Sequence, residues 1–350
     1  MSWPPKLEVL TGQFVFRLGR GELQQAEHHA KRICHVGEAR NDPRWNAAGL
    51  ASTAFISFLR GRFTEARAYY EDAIGLWDPL YRPSVVSPDD PHVASLIILS
   101  RTLLCLGYVD QARLRRDEAL AEARRISPYN RIYALCDAWP GDWAIEGAKE
   151  ARTTLQSAKR ALANSRDQSF PMFSGLGHIM RGWCLSAIGQ AAEGIPLLLQ
   201  GVAIRRAAGS NLLLAFYLTT LAEAYGMAAQ PGGLNWLAEA AKIMETTNDC
   251  WAEAEMNRVR GTLLLSLHER AAAEKSYRQA IEVARRQSAK FWQLRAAMNL
   301  ARLWHDQGKV REARELLAPV YGWFTEGFDT RDLKERRRCW RSLRRKSLAL

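Results

Sequence analysis

The sequence predicts an all-α fold, a right-handed superhelical solenoid of about eight helical hairpins. Three observations predict it. First, a small residue is followed four positions on by a usually bulky one, then three further on by a usually small one, eight times over. The triplets are Ala26/Ala30/Ile33, Ala66/Tyr70/Ala73, Ala112/Arg116/Ala119, Ala151/Leu155/Ala158, Gly194/Leu198/Gly201, Gly233/Leu237/Ala240, Ala273/Tyr277/Ala280 and Ala313/Leu317/Val320. Their first members stand 39 to 46 residues apart, and a fixed period of this size marks a repeat array. Second, five triplets are preceded, five residues earlier, by a glycine: Gly21, Gly61, Gly107, Gly189 and Gly308. Glycine there can end one helix in the left-handed conformation before the next begins. Third, Ala, Leu, Arg and Glu dominate and alternating apolar–polar runs do not persist, which favours helix over strand.

Each unit therefore reads as helix A, a tight turn, then helix B carrying the triplet. Unit one turns at Gly21. Units two to five open near Pro43, Pro91, Pro128 and Pro171, with Asp42, Asp90 and Ser127 ahead of three of them. A capping oxygen followed by proline at the first helical position is a strong start signal. Ser210 and Asn211 are expected to do the same for unit six. Twelve residues before the triplet stand Ala54, Ser100, Gly182, Gly261 and Ala301, small enough to let helices A and B approach. Phe14, Trp139 and Leu221 break that pattern, so units one, four and six are expected to pack less regularly. Unit six reads one residue short around Gln230–Gly233. Two interruptions are expected: a Pro-rich loop over Asp78–Pro91, and a helix break at Trp139-Pro140-Gly141-Asp142-Trp143 in unit four.

The formal charge of +12 is uneven. Residues 331–350 carry nine Lys/Arg against two Asp/Glu, a balance of +7, and residues 1–330 a balance of only +5. The expected organisation is a nearly neutral solenoid over 1–330 and a basic tail over 331–350. A protein that binds nucleic acid along its length would spread its charge differently. Contact with nucleic acid or an anionic surface is expected only through the tail, where Trp340 and Leu343 add an apolar element.

Six cysteines show no C-x-x-C spacing and read as buried hydrophobes in a reducing compartment. The first residues contain no apolar signal-peptide core. The most apolar run, Val93–Leu106, has 14 residues with Arg101 inside it, short of the ~20 needed to span a membrane. A cytoplasmic location is expected.

No catalytic, cofactor or metal site is expected. The sequence lacks a Walker A pattern and H-E-x-x-H, and Gly19-Arg20-Gly21 is followed by Gln24 where a dinucleotide motif needs glycine. His28, His29, Cys34 and His35 cluster on one helix, but His28 and His35 sit roughly 10 Å apart along its axis. Asp89, Asp90 and His92 could chelate a cation, and the capping role of Asp90 accounts for the same residues. Stacked hairpins expose the inner side of helix A along a concave groove. Offset counting places Arg101, Trp183, Glu255, Arg258, Arg295, Arg302 and His305 there as candidates for holding a protein or peptide partner. Guanidinium groups beside aromatics suit a peptide bearing carboxylates.

Small residues at these offsets in paired helices resemble the tetratricopeptide repeat, with a period longer than the common ~34 residues. Longer units of this kind occur in the repeat domains of maltose-regulator-type transcription activators. A second resemblance rests on Ala289-Lys290, Leu294–Ala297, Ala301–Trp304, Asp306–Gly308 and Leu317–Thr330, with Asp90-Pro91 and Leu106–Ala112. These segments look like the C-terminal repeat region of bacterial proteins that join a class III adenylate/guanylate cyclase, an ATPase and tetratricopeptide-like repeats. After Glu335 the chain departs from that family. The resemblance implies a non-catalytic interaction module in signal transduction. Alternatives are the stranded C-terminal part of a cyclase–ATPase protein, or the sensing domain of a transcription regulator.

Overall fold

The computed structural model describes residues 7–77, 89–146, 156 and 171–334. Among them are fifteen helices and no strand. In chain order these are α1 (Leu7–Gly19), α2 (Leu23–Arg40), α3 (Pro43–Leu59), α4 (Phe63–Gly75), α5 (Pro91–Leu106), α6 (Val109–Ile126), α7 (Pro128–Glu146), α8 (Pro171–Ala187), α9 (Ala191–Ala207), α10 (Leu214–Met227), α11 (Gly233–Thr247), α12 (Glu253–Ser266), α13 (Arg270–Arg286), α14 (Lys290–Asp306) and α15 (Val310–Gly322). They pair as the A and B helices of units one, two, three, five, six, seven and eight, and α7 is helix A of unit four. The triplet Ala151/Leu155/Ala158 and most of the expected Asp78–Pro91 loop lie outside the described residues.

The periodicity is borne out as packing. In the seven described triplets every member is buried except Arg116, which is half-buried. The expected small residues let helix A meet helix B closely. A methyl group on Gly261 would fall 2.6 Å from the Tyr277 ring. In unit five the backbones themselves touch, since a methyl on Gly182 would stand 2.5 Å from the Gly194 carbonyl. The five turn glycines all adopt positive φ.

The helix starts follow the expected chemistry in part. Asp42 accepts the Arg44 N–H, Asp90 accepts the N–H groups of His92 and Val93, and the Ser127 hydroxyl accepts the Asn130 N–H. Unit six differs. Ser210 Oγ accepts from Arg205, and Asn211 reaches α1 by donating to the Gly19 and Arg20 carbonyls. Its helix starts at Leu214, and the Leu213 N–H is taken by the Asp249 carboxylate from the next unit. Residues 228–232 form its turn, which is longer than the other described hairpin turns rather than shortened. The expected break at Pro140-Gly141 is also corrected, because α7 runs through both. A proline removes one intrahelical hydrogen bond, and the flanking bonds can carry the helix past it.

Successive A helices pack on one another as an inner layer, α1 on α3, α3 on α5, α5 on α7 and so on to α12 on α14. The superhelix is tight enough for its later units to return to the first ones. Helix α5 packs on α14, and the Cys250 N–H donates to the Leu59 carbonyl at 2.7 Å. Residues 331–334 form a helical turn with Leu333 buried.

Candidate functional site

The inner face is filled by the chain's own side chains. Trp251, just ahead of α12, lies 5.1 Å from Phe58 of α3, 4.8 Å from Phe216 of α10 and 6.4 Å from Trp292 of α14. Arg101 of α5 enters this stack. Its guanidinium carbon is 5.7 Å from both the Phe58 and Trp251 rings, and its Nη2 donates to the backbone and carboxylate oxygens of Asp137. Only 2 % of its surface is exposed. A guanidinium beside two aromatic rings exchanges hydration for attraction to the ring quadrupoles.

A second cluster holds three of the predicted residues. Arg258 of α12 grips Glu255 through two 2.8 Å hydrogen bonds and reaches Glu223 of α10 at 2.6 Å. Arg295 of α14 pairs with the same Glu255 at 2.9 Å and with Asp332 at 3.6 Å. The five groups alternate in sign, and Glu255 at their centre is 1 % exposed. Burial opposes its ionisation, but Arg258 and Arg295 outweigh burial and hold the carboxyl below its usual range. Burial likewise works against the Arg258 charge, and Glu255 and Glu223 more than offset it.

The remaining candidates lie apart from this cluster. Trp183 is buried in α8, Arg302 is exposed on α14, and His305 at the end of that helix lies 3.3 Å from Asp306. The chain reading missed Glu223, Asp332, Asp137 and Trp251. Glu223 and Asp137 carry no periodic signal, and Trp251 and Asp332 fall outside the helix-A registers that offset counting covers.

Asp249 lies buried at the junction of units six and seven. Its Oδ2 accepts the Leu213 N–H at 3.1 Å. Burial raises its pKa to about 7, against the lowering effects of that hydrogen bond and of Arg101. The thiols are similarly quiet, since burial pushes Cys105 and Cys136 up to about 12. The Asp89–His92 segment is engaged in structure: Tyr129 donates to Asp89 at 2.9 Å, and the His92 ring stacks on Trp77 at 4.8 Å. His28 and His29 meet edge to face at 5.8 Å. No helix among the described residues is long and apolar enough to cross a membrane.

A tetratricopeptide repeat family model matches residues 293–321, spanning most of α14 and α15. Solved structures share the fold over most of the chain. A Rap protein complexed with Competence and Sporulation Factor aligns at TM-score 0.62 and 15 % identity, over 82 % of this chain and 78 % of that one. The apo form of RapI aligns at 0.50 and 12 %, over 85 % and 99 %. A Signal Transduction ATPase with Numerous Domains from Pyrococcus horikoshii, with a tetratricopeptide repeat sensor, gives 0.46 and 16 %, over 91 % and 48 %. No curated protein sequence matches the chain. The fold class is thus a tetratricopeptide-type helical solenoid.

Proposed function

We propose that this chain is a non-catalytic module that binds a protein or peptide in bacterial signal transduction. The observation that carries this reading is the inner layer of A helices, the side by which stacked hairpins hold a partner, with Arg302 exposed on α14. The likeness to a Rap protein bound to a named factor agrees with it. On the resemblance of residues 289–330 to cyclase–ATPase proteins, we propose that kind of signalling system as its setting. The basic tail is a second contact of this proposal, toward nucleic acid or an anionic surface.

The test is affinity capture from the native cell followed by mass spectrometry, with wild type and Arg302→Glu compared. Arg302 is exposed, so the substitution leaves the buried ion cluster intact. A specific partner lost on substitution supports the reading, and an unaltered set of captured proteins refutes the groove assignment. Arg258→Glu is unsuited to this test, because it would set a third carboxylate against Glu223 and Glu255.

A further inference from the structure

The later units and the C-terminal segment grip the hairpin turns of the first three units along one seam. At unit one, Asn211 donates to the Gly19 and Arg20 carbonyls. At unit two, Cys250 donates to Leu59, and the Gln287 side chain, bonded to the Cys250 carbonyl, presses on Gly61. At unit three the contact is reciprocal. The first turn of α6 has no side-chain cap from its own N-cap residue, Tyr108. The Glu326 carboxylate supplies one from 216 residues away, accepting the Asp110 N–H at 3.0 Å. Its other oxygen takes the Gln111 side-chain amide at 3.2 Å. Asp110 returns a bond by accepting the Gly327 N–H at 3.1 Å, and Arg113 bridges Asp110 and Asp329.

The turn glycines record the same seam. A methyl on Gly61 or Gly107 would strike Gln287 or Trp323 at 2.3 and 2.6 Å, whereas Gly189 and Gly308 have nothing within 4 Å. The seam has an apolar inner part, where Trp251 packs on Phe58 and α5 on α14, and a polar outer rim. On that rim Asp110 and Asp329 have side chains 54 % and 65 % exposed. Exposed ion pairs contribute little and are screened by salt.

We infer that this seam is a latch, and that its release uncovers Phe58, Trp251 and Arg101 to a polypeptide segment bearing aromatic and carboxylate side chains. The partner class rests on the interaction reading above. Release would carry Trp251 away with unit seven and leave the Phe58 ring and the Arg101 guanidinium side by side on the early units, a pairing that stacks rings and binds carboxylates.

The test uses the full chain with Glu326→Lys and Asp329→Lys combined, which places two cations beside Arg113. Amide hydrogen exchange is read at Asp110, Gln111, Asn211 and Cys250. Alkylation of Cys105, which lies beside Arg101 and Trp292, is followed by mass spectrometry, with buried Cys184 as the reference. Release of the latch predicts faster exchange at all four amides together and at least ~10-fold faster alkylation of Cys105 with Cys184 unchanged. Faster exchange confined to Asp110 and Gln111 would overturn the inference, leaving only a local cap. An equal rise at Cys105 and Cys184 would also overturn it, because the contacts would then hold the whole fold. Glu326→Gln, which removes charge without adding repulsion, gives the same readout if the double variant folds poorly. A chain that opens but captures no partner refutes the interaction reading and leaves the latch standing.

Discussion

Arg258 and Glu255, one helical turn apart on α12, face each other in a two-pronged pair with both bonds at 2.8 Å. Planar guanidinium and carboxylate match in this geometry, which fixes orientation as well as charge. The pair is buried, so its value lies in being complete. Removing one partner leaves a charge with its desolvation uncompensated.

Arg258→Met should therefore destabilise the chain by about 3–5 kcal/mol, the range for breaking a buried pair from one side. Glu255 would then keep Arg295, and Glu223 would lose its bond to Arg258. Urea unfolding measures the loss. Arg258→Lys should fall between, since an ammonium keeps the charge without the fork. Equal stability of the Met variant and wild type would contradict the burial argument.

Asp249 gives a pH dependence with a definite sign. Its native pKa of about 7 stands above the ordinary 3.8. From about pH 4 to 7 the unfolded chain releases a proton that the native chain retains, so this group's stability contribution is full below that window and lost as pH rises through it. Asp249→Asn keeps an oxygen for the Leu213 N–H and cannot ionise. The variant should gain on wild type by a few kcal/mol between pH 4 and pH 8, on the order given by a shift of this size. Melting temperatures of both proteins across that range check it, and a constant difference would count against the assignment.

Gly182→Ala separates helix propensity from packing. Alanine is favoured over glycine in a helix interior by about 1 kcal/mol. The added methyl would meet the Gly194 carbonyl at 2.5 Å and the Leu198 backbone nitrogen at 2.8 Å. Backbone cannot swing aside as a side-chain end can, so α8 and α9 must separate. The net effect should be a loss of about 1–3 kcal/mol, read by chemical denaturation. Gly75→Ala, where nothing lies within 4 Å, is the control and should stabilise or leave stability unchanged.

The array was legible because packing between A and B helices repeats at each unit, and repetition survives in the sequence as small residues at fixed offsets. Helix starts were legible where the cap is local, as at Asp42 and Asp90. They were misread where the cap comes from afar: the Leu213 N–H uses Asp249, so Ser210 and Asn211 looked like the caps. Offset counting located Glu255, Arg258 and Arg295 on A helices, but not that they would bind one another. That outcome depends on how tightly the superhelix winds, a sum of small rotations between units that no single position encodes.

The grip of Glu326 on the start of α6 bears on how the chain folds. An open repeat array can nucleate anywhere and grow by neighbours, with terminal units fraying independently. Here the first three hairpins find part of their surroundings only after the sixth, seventh and eighth exist. Such contacts, some 190 to 216 residues distant in the chain, slow the search for the native state. During synthesis the early hairpins must wait with that surface uncovered. Once closed, the seam ties the two ends of the array together, and removing either end should loosen the other.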